Sequence, residues 1–209
     1  MIDIYVINLK EREDRLEKLI TNFKEYTNIN LSIVEAVKYN PGVIGCFMSH
    51  QKIIKYAKEN NMKNIIVMED DCIPHTPIFE EKLINIKKYL DENDNWDIFL
   101  GGGTLQYKNI IKKHADITGN ISLYKIHHSF DGHFVCYNNT IYDTFINADP
   151  TILPLDHFWR GKNIRFVIVI PFIAIQDSSY SNILNRFVKN VRYAEVEYKL
   201  LKKLDMRPL

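Results

Sequence analysis

The sequence predicts an α/β protein in which helices flank one mostly parallel sheet, and three observations carry that expectation. Strand-like runs alternate with stretches whose apolar residues recur at helical spacing. Two of the runs, NIIVM at 64–68 and WDIFLGGG at 96–103, are apolar enough to be covered on both faces. With 209 residues, 46% hydrophobic and 12% aromatic, the chain can bury a full core, so a single domain over 1–209 is expected.

Taken in order, IDIYVIN at 2–8 is β-branched and alternating, a strand, and EREDRLEKLITNF then sets Leu16, Leu19, Ile20 and Phe23 on one helix face. LSIVEAV at 31–37 is a second strand, closed by the NPG turn at 40–42. GCFMSHQKIIKYAKENN carries Phe47, Ile53, Ile54 and Tyr56 as a helix that stops at Asn60 and Asn61. After NIIVM come three carboxylates, a helix from Ile78 to Leu90, and the strand WDIFLGGG running into glycines. Residues 104–130 are expected to be irregular, with hairpin strands around ISLYKIHH. HFVCY is a strand, NTIYDTFINAD a helix, IRFVIVIP a strand, and a long terminal helix is expected at about 183–204.

Composition narrows the function classes. The 27 Lys+Arg against 26 Asp+Glu leave a formal charge of +1, so no bulk field favours a nucleic-acid partner and any electrostatic effect must be local. The N-terminal stretch lacks a basic region, and no segment reaches the roughly 18 apolar residues of a membrane span. Cys46, Cys72 and Cys136 are odd in number and share no CxxC spacing, which suggests neither a disulfide frame nor a zinc knuckle. A reducing, cytoplasmic setting is the expectation. The spacing of His127, His128 and His133 in HHSFDGHF fits no common tetrahedral zinc motif.

The local charge is in NIIVMEDDCIPH at 64–75, where a buried strand runs directly into Glu69, Asp70 and Asp71. Ligands of open α/β sheets collect outside the carboxyl ends of the strands. In an extended segment Glu69 and Asp71 point one way and Asp70 the other. Two carboxylates on one side suit a hard divalent cation such as Mg²⁺ or Mn²⁺. The competing reading is a solvated turn ahead of the next helix, and His75 reads either as a further ligand or as a surface residue.

In this order and at these separations, YVINLKEREDRLEKL, GVIGCFMSHQKII and NIIVMEDDCIPH resemble glycosyltransferase family 25, and the likeness continues in WDIFLGGG, GHFVCYNNTIYDTFI, PLDHFW and PFIAIQDSSYSNI. It covers roughly residues 2–183. The resemblance implies a GT-A type, Rossmann-like enzyme. It would move a hexose, galactose or glucose, from a UDP-sugar to a saccharide, glycoprotein or other hydroxylated acceptor, with inversion. It also implies an acidic, DxD-like motif that holds Mn²⁺ or Mg²⁺ against the donor diphosphate. Here Asp71 is the first metal ligand, Glu69 ligates directly or through water, and Asp70 belongs to the donor site.

The remaining segments carry paired readings. Asn8 at the first strand's end, with Arg12 and Arg15 three apart beyond it, matches the family's nucleotide site; the alternative is a charged helix face pairing with Glu11 and Glu17. Gly45 allows close backbone approach at a helix start, and Ser49 and His50 reach toward the donor, although His50 equally reads as a core histidine and Cys46 as a packed thiol. Asp156 in PLDHFW is the candidate base that takes the acceptor proton, or else a helix N-cap. Trp159 and His133 are the acceptor candidates; Trp159 also reads as core, and Asp131-Gly132 departs from the family's Gly-Thr before the histidine. The next helix departs too, with Ile141 and Tyr142 where small residues are usual. Gln176, Asp177 and Ser181 offer a further metal or phosphate contact. The basic, apolar tail either docks on a membrane surface or packs on the core. Two other functions remain open: a catalytically silent sugar-nucleotide or glycan-binding module, and a Mg²⁺ phosphohydrolase. The phosphohydrolase would want an aspartate where Asn8 stands.

Overall fold

The computed structural model describes residues 1–105, 107–118, 120–160, 162–181, 186–188 and 192–204, with side chains at 107, 160, 179–181, 186–188 and 192 outside the description. The first half contains β1 (Ile2–Asn8), α1 (Glu13–Phe23), β2 (Ile29–Glu35), α2 (Gly42–Glu59), β3 (Asn64–Glu69), β4 (Cys72–Pro74), α3 (Phe79–Glu92) and β5 (Ile98–Leu100). The second contains β6 (Ile110–Thr118), β7 (Ile121–Ile126), β8 (Phe134–Asn138), α4 (Tyr142–Ile146), α5 (Leu155–Arg160) and β9 (Phe166–Ile170). The chain then continues through β10 (Ala174–Gln176), β11 (Ser179–Ser181), β12 (Arg186–Val188) and α6 (Arg192–Lys203).

Eight strands form one sheet in the order β2-β1-β3-β8-β5-β9-β7-β6. It is an α/β sheet, mostly parallel in direction: β1, β2 and β3 pair in parallel, as do β5 and β9, while β8 and β7 run against the others. Period-two alternation divides the core between its faces. Ile65, Val67, Val135, Tyr137 and Ile168 meet Phe47, Ile53, Phe145 and Trp159 from α2, α4 and α5. Ile66, Met68, Phe134, Cys136 and Val167 meet Leu19, Phe23, Phe79 and Leu83 from α1 and α3. Each such side chain taken from water contributes about 2 kcal/mol. β3 is apolar throughout because both its faces are covered, and that pins its far end in place.

Three expectations change. Residues 110–118, expected to be irregular, form a nine-residue strand pairing with β7 through three register shifts. It is the sheet's last strand and largely exposed, so Lys112, Lys113 and His114 conceal it in the sequence. The helix expected over NTIYDTFINAD contracts to a 3₁₀ turn followed by the five residues of α4; Asn138 Oδ1 accepts from Thr140 N at 3.3 Å to open the turn. The terminal helix starts at Arg192 rather than near 183, with β12 inside the expected span; residues 183–185 and 189–191 lie outside the described residues, as does the Ser181 side chain.

Packing also settles the tail. Tyr193, Leu200 and Leu201 of α6 are buried, and the Tyr193 ring meets His133 at 5.3 Å between centroids. These residues of α6 pack on the core, while Tyr198 stays 61% exposed. Among the described residues no helix is long and apolar enough to cross a membrane.

Candidate active site

β1 and β3 lie side by side, with Ile7 opposite Glu69, so their carboxyl ends open at the same edge. Extended backbone stops at Glu69, whose N–H donates to His133 O at 3.0 Å. The chain turns at Asp70 and Asp71 and resumes as β4. Nearby, α2 begins at Gly42 with no side-chain cap and no acid in its first turn. A cavity of about 290 Å³ lies between these ends, lined among others by Arg15, Gly45, Glu69, Asp70, Asp71 and Gln176.

The turn overrides the alternation expected of the three acids. Asp70 and Asp71 share Arg15 rather than facing apart: Arg15 Nη1 stands 2.7 Å from Asp70 Oδ1 and 3.3 Å from Asp71 Oδ2. Asp70 Oδ2 also accepts from Asn8 Nδ2 at 2.9 Å, and Asp71 Oδ2 from Gln176 Nε2 at 3.0 Å. Glu69 goes the other way, toward α2, with Cys46 Sγ at 3.6 Å and His50 Nε2 at 3.7 Å from its Oε1. Asp71 Oδ1 is buried with no hydrogen-bond partner.

Among the described residues Arg15 is the cation bonded to the two aspartates, and Arg12 lies within reach of their charge. Burial, and after it the charge of Glu69, pushes the Asp71 carboxyl up to about 8. Burial also raises Asp70, with Arg15 and Asn8 opposing it. Burial works against ionisation of Glu69 as well, yet the facing His50 and His133 rings and the Cys46 thiol hold its carboxyl below the usual range. A buried, unpaired carboxylate oxygen among acids is the environment that a divalent cation relieves, and oxygen donors suit Mg²⁺ or Mn²⁺. Asp71 fits such an ion, whereas Glu69 turns toward α2, and among the described residues the three acids do not gather their oxygens within 4.8 Å of one another.

The other candidates divide. Asn8 and Arg15 hold the acidic turn, so the helix-face pairing with Glu11 and Glu17 is not what Arg15 does. Arg12 is spent differently, on a two-pronged bond to Asp14 at 2.8 Å for each prong. Gly45 is needed for backbone packing: an ideal Cβ there would stand 2.3 Å from Val37 O. Ser49 completes that tie, accepting from Val37 N at 2.8 Å and donating to Gly45 O at 2.7 Å. Ser49 and His50 are fully buried, Ser49 as part of the cavity lining. His75 bonds Glu197 Oε2 at 2.9 Å, away from the acids.

Asp156 lies inside the first turn of α5, so it is not that helix's N-cap, and burial raises its carboxyl. It is not among the residues that line the cavity. The two acceptor candidates need correction. His133 is fully buried, and its Nε2 lies 3.2 Å from Ala174 O; Trp159 is 1% exposed and packs on Phe166. Both stand in the core behind the site, where neither touches a sugar in this arrangement. Of the three polar candidates of PFIAIQDSSYSNI, Gln176 reaches the Asp71 side chain from β10, the Asp177 N–H donates to Asp71 O at 2.7 Å, and the Ser181 side chain lies outside the described residues.

Comparison with known proteins agrees with this picture. Residues 41–147 match the family described as glycosyltransferase family 25 (LPS biosynthesis protein). Procollagen galactosyltransferase 2 of Mus musculus is 25% identical over 190 residues, an alignment covering 75% of this chain and 29% of the relative. The Homo sapiens protein of that name is 26% identical over 136 residues, covering 51% of this chain and 21% of the relative. The chain thus spans less than a third of the length of these relatives. Among solved structures, a glycosyltransferase involved in glycosylation of the major capsid of PBCV-1 superposes with a TM-score of 0.51 at 11% identity, covering 88% of this chain and 96% of that one, a likeness of fold.

Proposed function

We propose, from the premise that this chain belongs to glycosyltransferase family 25, that it transfers a hexose from a UDP-sugar held in the cavity beyond β3 to a saccharide or hydroxylated acceptor. The observation that carries the reading is Asp71 Oδ1, a buried carboxylate oxygen without a hydrogen-bond partner on the wall of that cavity. Asp71 would hold Mn²⁺ or Mg²⁺ first, with Glu69, which faces α2, joining through water. When bound, such an ion supplies neutralising charge to the departing diphosphate.

The chain's own groups do the rest. Arg15 fixes Asp70 and Asp71 and brings a cation to the donor side. The N-terminus of α2, which has no side-chain cap, lies at the cavity rim, where Asn40 and Gly42 line it, a setting that favours phosphate. Asp156, whose carboxyl burial raises and so makes a better proton acceptor when ionised, takes the proton of the attacking hydroxyl. Attack from the face opposite the diphosphate gives inversion. The names of the relatives favour galactose as the sugar, and three free cysteines favour a reducing, cytoplasmic setting.

The test is turnover. Purified protein with Mn²⁺, UDP-galactose or UDP-glucose, and a panel of saccharide and hydroxylated acceptors is expected to release UDP only when an acceptor is present. UDP binding without turnover on any acceptor would convert the reading to a silent binding module.

A further inference from the structure

Glu69 faces two side chains that the proposed transfer leaves unused. Cys46 Sγ and His50 Nε2 stand 3.6 and 3.7 Å from its Oε1, and the three donor atoms all lie within 4.8 Å of one another. Cys46 and His50 are four residues apart on α2 and so share one face. His50 is fully buried, and its Nε2 has no hydrogen-bond partner. An unpaired buried polar atom is costly, so a ligand at this point would relieve a standing penalty. Its Nδ1 is held 2.8 Å from the Tyr137 hydroxyl, the kind of bond that aims the opposite nitrogen's lone pair at a metal.

We propose that Cys46, His50 and Glu69 form a second cation site, one that takes a borderline-soft divalent ion such as Zn²⁺, with a fourth position opening on the cavity. Tetrahedral zinc bonds of about 2.0–2.3 Å set neighbouring donors about 3.4–3.6 Å apart, close to the two short edges already present. A sulfur, nitrogen and oxygen set suits zinc, whereas Mg²⁺ and Mn²⁺ prefer oxygen. Cys46 and Glu69 both line the cavity, which gives the ion an entry path. Burial, and after it Glu69, keeps the Cys46 thiol protonated in the absence of metal; forming the sulfur–zinc bond releases that proton to solvent. On the proposed function, zinc here keeps Glu69 on α2 and out of reach of the donor's cation, and so inhibits transfer. The binding itself does not depend on that function.

Co²⁺ serves as the spectroscopic probe. Titrated into the whole chain, it is expected to give a thiolate-to-cobalt charge-transfer band that vanishes in Cys46→Ser and persists in Asp71→Asn. Tyr137→Phe is expected to weaken Co²⁺ binding about tenfold. In the wild-type protein, Zn²⁺ is expected to slow alkylation of Cys46, the partly exposed one of three free cysteines, as located by mass spectrometry. An absent band, a band that survives Cys46→Ser or is lost in Asp71→Asn, or unslowed alkylation overturns the assignment. No arm uses a nucleotide, so failure here is distinct from failure of UDP to bind.

Discussion

Asp71→Asn is expected to stabilise the metal-free protein at neutral pH, although it removes a residue of the candidate active site. The folded carboxyl is pushed from 3.8 to about 8, so folding raises its proton affinity. The sign follows directly: the unfolded chain ionises first, and stability falls as pH rises from about 4 to about 8 and then levels. At pH 7 the span from 3.8 is about 3 pH units, or at most ~4 kcal/mol of destabilisation. Asparagine cannot ionise, and its carbonyl can still accept from Gln176, so the variant avoids this cost. Urea unfolding in EDTA, at several values between about pH 5 and 8, measures both slopes. A gain at pH 7 and a flatter profile are expected. In Mn²⁺ the order reverses, because ligand binding stabilises the wild type by mass action. A variant with the wild-type pH slope, or one less stable at pH 7 in EDTA, would refute the claim that Asp71 is a buried acid lacking its counter-ion.

Arg15→Ala leaves Asp70 and Asp71 without the cation that stands 2.7 and 3.3 Å away, and is expected to cost about 3–5 kcal/mol by urea denaturation at pH 7, with part of the loss recovered near pH 4 as the acids protonate. Gly45→Ala forces a Cβ to within 2.3 Å of Val37 O and is expected to cost about 1–3 kcal/mol, read as a lower urea midpoint. Asp156→Asn is expected to leave UDP binding within twofold of wild type while lowering turnover by about 10²–10⁴; weakened UDP affinity would move Asp156 out of the role of base.

Where local pattern and tertiary packing agree, the fold is legible in the sequence. Leu19 and Phe23 of α1, Phe47, Ile53 and Ile54 of α2, and the apolar run of β3 are buried as their spacing implies. β6 is hidden because a partly exposed edge strand with Lys112 and Lys113 carries no alternation to read. The acidic cluster is legible as a charge feature at a strand end, but its partition is not. Strand alternation pairs Glu69 with Asp71, whereas the turn gives Asp70 and Asp71 a common partner in Arg15, which a residue 55 positions away supplies. His133 is not legible as buried because that depends on α6 and β10 folding over it, while Trp159, which also reads as core, packs on Phe166 of β9. The Cys46 and His50 pair is one helical turn apart in sequence, but Glu69 completes it from 23 positions beyond Cys46, a contact that no local spacing encodes.

Calorimetric titration of UDP into the protein, in Mn²⁺ and again in EDTA, with Asp71→Asn alongside, tests the central claim most directly. Saturable binding in Mn²⁺ is expected, with its loss both in EDTA and in the variant. Equal affinity for UDP in EDTA and Mn²⁺, or wild-type binding by Asp71→Asn, would contradict the assignment of Glu69 and Asp71 as the cation's holders.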